Sequence, residues 1–329
     1  MVQQIIAIKL INSNGLELQV SNFGATIISL RVPDKNKEFV NVIVGLESSE
    51  DYTKPFYLEK GLYLGSSVGR YAGRISRGCF KINDEIYPIH HENGIHLHGG
   101  KIGFDKKYWE IVNLNEGRNP QVTLSYVSEH LEEGYPGNLE TFVTYQLSEE
   151  NEVKITYKAK SDAETHVNLT NHSYFNLDGK GTILDHKLLI NSPYYLEVNE
   201  QLIPSGELIN SLNTRFDRNK MSLLGRRDFK GFDDTFVFGD ERLKALLMSP
   251  KTGIQMEVYT NQPAGVVYTP VKLPDLTYKN GVSYSKFSAI CFETQNFPDA
   301  PNNNNNFPSS ILKLGEEYIN ETVLKFSIV

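Results

Sequence analysis

Cysteine is almost missing from this chain of 329 residues, which carries only Cys79 and Cys291. Two cysteines are too few for a disulfide framework and lack the paired spacing of a metal site. Basic charge is also short, with 33 Lys and Arg against 40 Asp and Glu and a net charge of -7. A protein that grips nucleic acid needs a basic surface, and a membrane-surface patch needs a cluster of Lys and Arg. Neither is present, so no nucleic-acid and no membrane partner is expected. No apolar run approaches the ~20 residues of a membrane-spanning helix. Met1 to Leu10 has no basic leader followed by a long apolar core, so no signal peptide is expected and a cytoplasmic location is. Ser/Gly linkers, internal repeats and long amphipathic helices are lacking as well; residues 241–248 make at best a short helix. The single low-complexity stretch, Asn302 to Asn306, is short enough for one loop.

What the sequence does contain is alternation. Leu18 and Val20, then Ile28, Leu30 and Val32, alternate with other residues until Pro33-Asp34-Lys35-Asn36 breaks the run as a turn should. Val122, Leu124 and Tyr126 repeat the pattern. Val143, Tyr145 and Leu147 lead into the polar tip Glu149-Glu150-Asn151-Glu152, and Val153, Ile155, Tyr157 and Ala159 resume beyond it. That pattern predicts a hairpin. Strands of this number imply an all-β fold, a large antiparallel β-sandwich, with one domain over residues 1–329.

Several segments carry groups capable of chemistry. Asn171-His172-Ser173-Tyr174-Phe175-Asn176-Leu177 sets a histidine among small polar and aromatic neighbours, where it can carry a proton near neutral pH. His90, His91, His96 and His98 raise a metal reading, because His-x-His places both rings on one side of a strand. That pattern expects a glutamate soon after, and Gly99-Gly100-Lys101-Ile102 follows instead; no metal is expected, and His90 and His91 suit a solvated turn. Gly65 to Arg74 is glycine-rich but lacks the Gly-Lys-Ser/Thr ending of a phosphate loop. Its Arg70 and Arg74 are read either as surface residues or as one arginine reaching hydroxyls in a polar pocket. Asp233 and Asp234, in Gly231-Phe232-Asp233-Asp234-Thr235-Phe236, suit a surface turn when taken alone. Glu293 stands between Ala289-Ile290-Cys291-Phe292 and Thr294-Gln295, on what reads as a buried strand. It is either half of a salt bridge or a base whose pKa burial raises.

In their order along the chain these segments resemble the aldose 1-epimerases, the galactose mutarotase family. The likeness begins with Ser21-Asn22-Phe23-Gly24-Ala25-Thr26 and runs through Val32-Pro33-Asp34-Lys35, Gly69 to Ile75, Leu97-His98-Gly99-Gly100 and Gly134-Tyr135-Pro136-Gly137-Asn138-Leu139. It continues with Asn168 to Leu177, Ile203-Pro204-Ser205-Gly206 and Phe292-Glu293-Thr294-Gln295-Asn296-Phe297-Pro298-Asp299. The resemblance implies a galactose mutarotase-like supersandwich that uses neither metal nor cofactor and takes a small-molecule aldose, a hexopyranose, as its partner. It matches Glu293 with a general base, His172 with a general acid, and His98 with a second histidine assisting at the ring oxygen. Arg74 and Asp233 match a sugar-binding arginine and aspartate.

Anomer exchange needs little else. A carboxylate takes the proton of the C1 hydroxyl while an imidazolium protonates the ring oxygen, and the same groups reverse the step after rotation about C1–C2. Three positions depart from the family pattern: Gly73 where an Asn is frequent, Asp234 where a His is frequent, and Val266 in the place of a sugar-contacting Gln. These bear on sugar preference and leave the acid and base in place. The competing reading is a sugar-binding or regulatory protein on the same fold that has lost catalysis; an epimerase of phosphorylated hexoses would want more cations than Arg70 and Arg74. Which aldose is preferred, and whether the chain is a monomer or a homodimer, stay open at this point.

Overall fold

In the computed structural model, which describes residues 4–226, 229–303 and 306–329, strands account for nearly all regular structure. Met1, Val2 and Gln3 of the segment read for a leader, and Asn304 and Asn305 of the asparagine run, lie outside the described residues. Among the described residues the one α-helix is the single turn Pro55–Leu58, and no helix is long and apolar enough to cross a membrane.

The largest sheet has nine strands. Its spatial order is Glu110–Asn115, Gln121–Ser128, Leu139–Leu147, Glu152–Ser161, Tyr318–Ile328, Ile254–Thr260, Ala245–Met248, Lys187–Ile190 and Ser222–Leu223. The chain's last strand thus fills the middle of the sheet, pairing with Glu152–Ser161 on one side and Ile254–Thr260 on the other, antiparallel to both. The expected hairpin is present, with Leu147 opposite Val153, and its tip closes through Asn151 N–H donating to Ser148 O at 3.2 Å.

A six-stranded sheet lies against one face of this layer, in the order Tyr174–Phe175, Ile290–Gln295, Ala264–Tyr268, Asp233–Val237, Tyr194–Val198 and Pro204–Asn210. Side chains alternate across each strand. Phe175, Ile290, Phe292, Val267 and Phe236 therefore join Val143, Tyr145, Val153, Ile155, Met256 and Leu324 in one buried cluster between the sheets. Each such side chain contributes ~1.5–3 kcal/mol when fully buried. The inner residues Leu18, Val20, Leu30 and Val32 of a four-stranded sheet extend the same cluster. The sandwich expected from alternation is what forms.

Residues 241–248 depart from expectation. The apolar part of that stretch, Ala245–Met248, is a strand hydrogen-bonded on both edges, to Lys187–Ile190 and to Ile254–Thr260. Ala, Leu and Met favour helices intrinsically, but two flanking ladders satisfy the backbone and Ala245 and Leu247 fill the core. Tertiary pairing overrides local preference here.

Candidate active site

The six-stranded sheet turns its other face to a cavity of about 260 Å³, near the lower end of the ~300–1,000 Å³ range of small-molecule sites. The strand Ile290–Gln295 is buried at every position, so a side chain opposite Ile290 and Phe292 must point away from the main core, and Glu293 does. The neighbouring strands place Val266 directly across from Glu293, and Thr235 directly across from Val266. Two residues further along the same face, Asp233 faces Tyr268. All five residues line the cavity. Strand alternation alone thus brings an acid, a methyl surface, a phenol and a second acid onto one floor.

His172 enters from the edge of this floor. Its backbone continues the pairing of Thr170–Asn171 with Ser67–Val68, its N–H donating to Ser66 O and its carbonyl accepting Gly65 N–H, each at 2.9 Å. The ring is delivered beside the acid, with His172 Nε2 3.4 Å from Glu293 Oε1 and side-chain exposures of 5% and 2%. Tyr174 and Phe175, two ring faces in the sequence, separate: Phe175 enters the main core, while Tyr174 stacks on His172 at 5.0 Å and 18°.

His98 reaches the same point from a third element. Gly99 makes this possible, because its backbone passes so close to Gly69 that an added Cβ would lie 1.7 Å from Gly69 O. The Gly73 N–H donates to His98 Nδ1 at 3.2 Å. An amide can only donate, so Nδ1 is the bare nitrogen of the neutral ring and Nε2 carries the hydrogen. Polar atoms of His98, His172 and Glu293 all lie within 4.8 Å of one another, a spacing a divalent metal could use. The tautomer fits a hydrogen-bond donor better than a ligand: Nε2 would have to lose its hydrogen and push one onto Nδ1, against the Gly73 N–H. Arg74 completes the rim, its Nη2 3.7 Å from Asp233 Oδ2.

Burial governs the charges. Desolvation pushes the Glu293 carboxyl well above its usual range; Asp233 adds to the rise and Arg74 opposes it. Desolvation pushes His172 down to about 4. His98 falls well below an ordinary histidine, chiefly by desolvation and further through His172 and Arg74. Asp233 is raised by burial and partly restored by Arg74.

Other candidates resolve differently. His96 is fully engaged, Nδ1 with His90 O at 2.6 Å and Nε2 with the Tyr135 hydroxyl at 2.8 Å, which leaves no nitrogen for a metal; His90 and His91 are exposed and do not line the cavity. Arg70 is no surface residue: its guanidinium is buried and donates to Pro136 O, Gly137 O and Ser128 O at 2.9–3.0 Å. Of the two arginines only Arg74 lines the cavity. Asp233 and Asp234 open a strand, not a surface turn, because each carboxylate has an arginine to meet.

The family profile described as Aldose 1-epimerase matches residues 7–325. The chain belongs to the aldose 1-epimerase family. It is 40% identical to the galactose mutarotase of Bos taurus, over 97% of this chain and 93% of that protein, and 40% identical to that of Homo sapiens with the same coverage. The crystal structure of an aldose epimerase homologue from C. elegans superposes with a TM-score of 0.91 at 28% identity, covering 99% of this chain and 100% of that one.

Within the aldose 1-epimerase frame the three departures acquire places. Val266 lies on the cavity floor beside Glu293 and offers only methyl groups. Gly73 has φ of +81°, and a Cβ there would sit 3.1 Å from Gln295 Nε2 and 3.2 Å from Pro298, so the neighbours leave little room for a longer residue. Asp234 does not line the cavity and binds Arg215 Nη2 through both oxygens, at 2.9 and 3.0 Å. Sequence reasoning missed Tyr63, whose ring lies 4.8 Å from His98 and 5.8 Å from His172; it sits in a loop with no periodic signal. Tyr268 and Thr235 were missed as well, although period-two alternation from Glu293 across paired strands points to them.

Proposed function

We propose that this chain is a mutarotase, interconverting the α and β anomers of hexopyranoses such as galactose and glucose by acid–base ring opening and closure. The observation that carries the reading is the 3.4 Å approach of His172 Nε2 to Glu293 Oε1 on the floor of a small-molecule cavity. The relatives named galactose mutarotase and aldose 1-epimerase support it.

Burial disfavours both charged forms, so the resting one-proton pair has its proton on Glu293, and the reactive form is the one with that proton passed to His172. In ring opening Glu293 accepts the C1 hydroxyl proton and His172 gives its proton to O5. The C1–O5 bond breaks as the C1 carbonyl forms, and His98 Nε2–H assists at O5. Rotation about C1–C2 exposes the other carbonyl face, and closure returns each proton to its starting place. Each positioned group contributes ~10²–10⁴-fold. No electron and no group leaves the sugar, so the chemistry calls for no cofactor. Arg74 and Asp233, joined across the rim, are placed to hold ring hydroxyls.

The test is the optical rotation of freshly dissolved α-D-galactose or α-D-glucose with and without protein. A mutarotase shortens the approach to equilibrium in proportion to its concentration. An inactive sugar-binding protein leaves the rate at the buffer value while still binding.

A further inference from the structure

Acid and base share one proton; burial alone keeps it on Glu293, whereas the reaction uses it on His172, across their 3.4 Å contact. The surroundings of His172 do differ from those of Glu293. Two tyrosine rings lie nearly parallel to the imidazole: Tyr174 at 5.0 Å and 18°, Tyr63 at 5.8 Å and 20°. The pair is tied together, because the Tyr174 hydroxyl donates to the carbonyl of Leu62, the residue before Tyr63, at 2.6 Å. Tyr63 is held at φ of +55°, a conformation uncommon for a large side chain, which presents its ring to His172 and His98 together.

We propose that Tyr63 and Tyr174 are positioning residues that raise the share of the proton held by His172, the form in which Glu293 is the base and His172 the acid. A neutral imidazole gains only stacking from a tyrosine face, whereas an imidazolium is also attracted by the negative face of the ring. Both centroids fall within the ~6 Å over which that attraction acts. The effect is on the order of three- to thirtyfold in the ratio of the two proton placements. The other groups facing His172 are Glu293, His98 at 5.5 Å and the edge of Tyr268 at 6.2 Å. Cys291 stands across from Tyr174, and Asp233 and Arg74 lie farther across the cavity. His98 is neutral, so none of these except Glu293 competes for the proton at short range. The inference rests on the mutarotase reading for its kinetic arm only.

Tyr63 is the residue to vary, since it is a loop residue outside the core whereas Tyr174 is packed within it. Tyr63→Phe keeps the ring and Tyr63→Leu removes it. With ¹⁵N-labelled histidine, the His172 nitrogen shifts report its protonated fraction in the intact protein, with or without galactose. The expected result is a protonated fraction lower in Tyr63→Leu and unchanged in Tyr63→Phe. In polarimetric assays Tyr63→Leu should lose about tenfold in kcat with KM within about threefold, and its acid pH limb should move down by about half a unit to one unit. Tyr63→Phe should retain both. If Tyr63→Leu fails to fold, Tyr63→Met carries the same readouts. An unchanged His172 titration in the ring-less variant overturns the proposal, as does equal loss in Tyr63→Phe. A wild-type protein that leaves optical rotation unaffected sinks the mutarotase reading instead, and the NMR arm still decides the tyrosine role.

Discussion

His172 Nε2 lies 3.4 Å from Glu293 Oε1, and neither His172 Nδ1 nor Glu293 Oε2 has a hydrogen-bond partner among the described residues. Buried polar atoms left unpaired are costly, ~1–3 kcal/mol each. Both residues line the cavity.

The pH profile follows from burial. Ordinary values near 4.3 and 6.5 would leave a narrow window for one bare carboxylate and one protonated imidazole. Here a second proton is resisted because His172 is pushed down to about 4, and loss of the only proton is resisted because Glu293 is pushed up. The bell in kcat/KM should therefore be broad, with its acid limb near 4 and its alkaline limb well above the ordinary carboxylate range. Both limbs belong to the pair. In His172→Asn they should shift or vanish; limbs unchanged in that variant exclude His172 as the acid.

Stability should fall in acid for a separate reason. His96, His166 and His186 are buried and each is pushed down to about 4 by desolvation. In the unfolded chain they titrate near 6.5. Their contribution is complete above that value, declines as pH falls and is lost through about 4, on the order of 3 kcal/mol for each. Urea midpoints measured from pH 7 to 4 should drop steadily. A flat midpoint contradicts these histidines being buried and neutral.

Asp234→Asn separates stability from selectivity. Removing its charge leaves the half-exposed Arg215 without its bidentate partner, which should lower the urea midpoint by ~1 kcal/mol or less after solvent screening. The ratio of rates for galactose and glucose should stay within about twofold. A changed ratio would place Asp234 in contact with the sugar.

Chelator should have no effect. His98 has the tautomer of a donor, so treatment with EDTA is expected to leave mutarotation intact. Activity that disappears on chelation and returns with zinc would show the His98, His172 and Glu293 cluster acting as a ligand set.

Much of this is legible in the amino-acid sequence. Period-two runs identified Leu139–Leu147 and Glu152–Ser161 because a half-buried strand must alternate. Glu293 stood out because a carboxylate within an apolar strand needs a reason to be there. What stayed hidden depends on pairing between distant segments. Ala245–Met248 reads as helix until its two ladders exist. Arg70 and Arg74 look alike four residues apart, yet one ends among buried carbonyls and the other at the cavity. Tyr63 carries no local pattern, and only the folded loop brings it to His172.

The most direct test is the mutarotation rate of Glu293→Gln, measured by polarimetry on a preparation whose melting temperature is also determined. Gln keeps the size and an acceptor oxygen but cannot take the C1 hydroxyl proton. The account predicts a loss of at least ~10² in kcat with an intact fold and retained sugar binding. If Glu293 were only half of a buried ion pair, the variant would instead lose about 3–5 kcal/mol of stability and melt at lower temperature. Wild-type turnover in Glu293→Gln would contradict the assignment of the base.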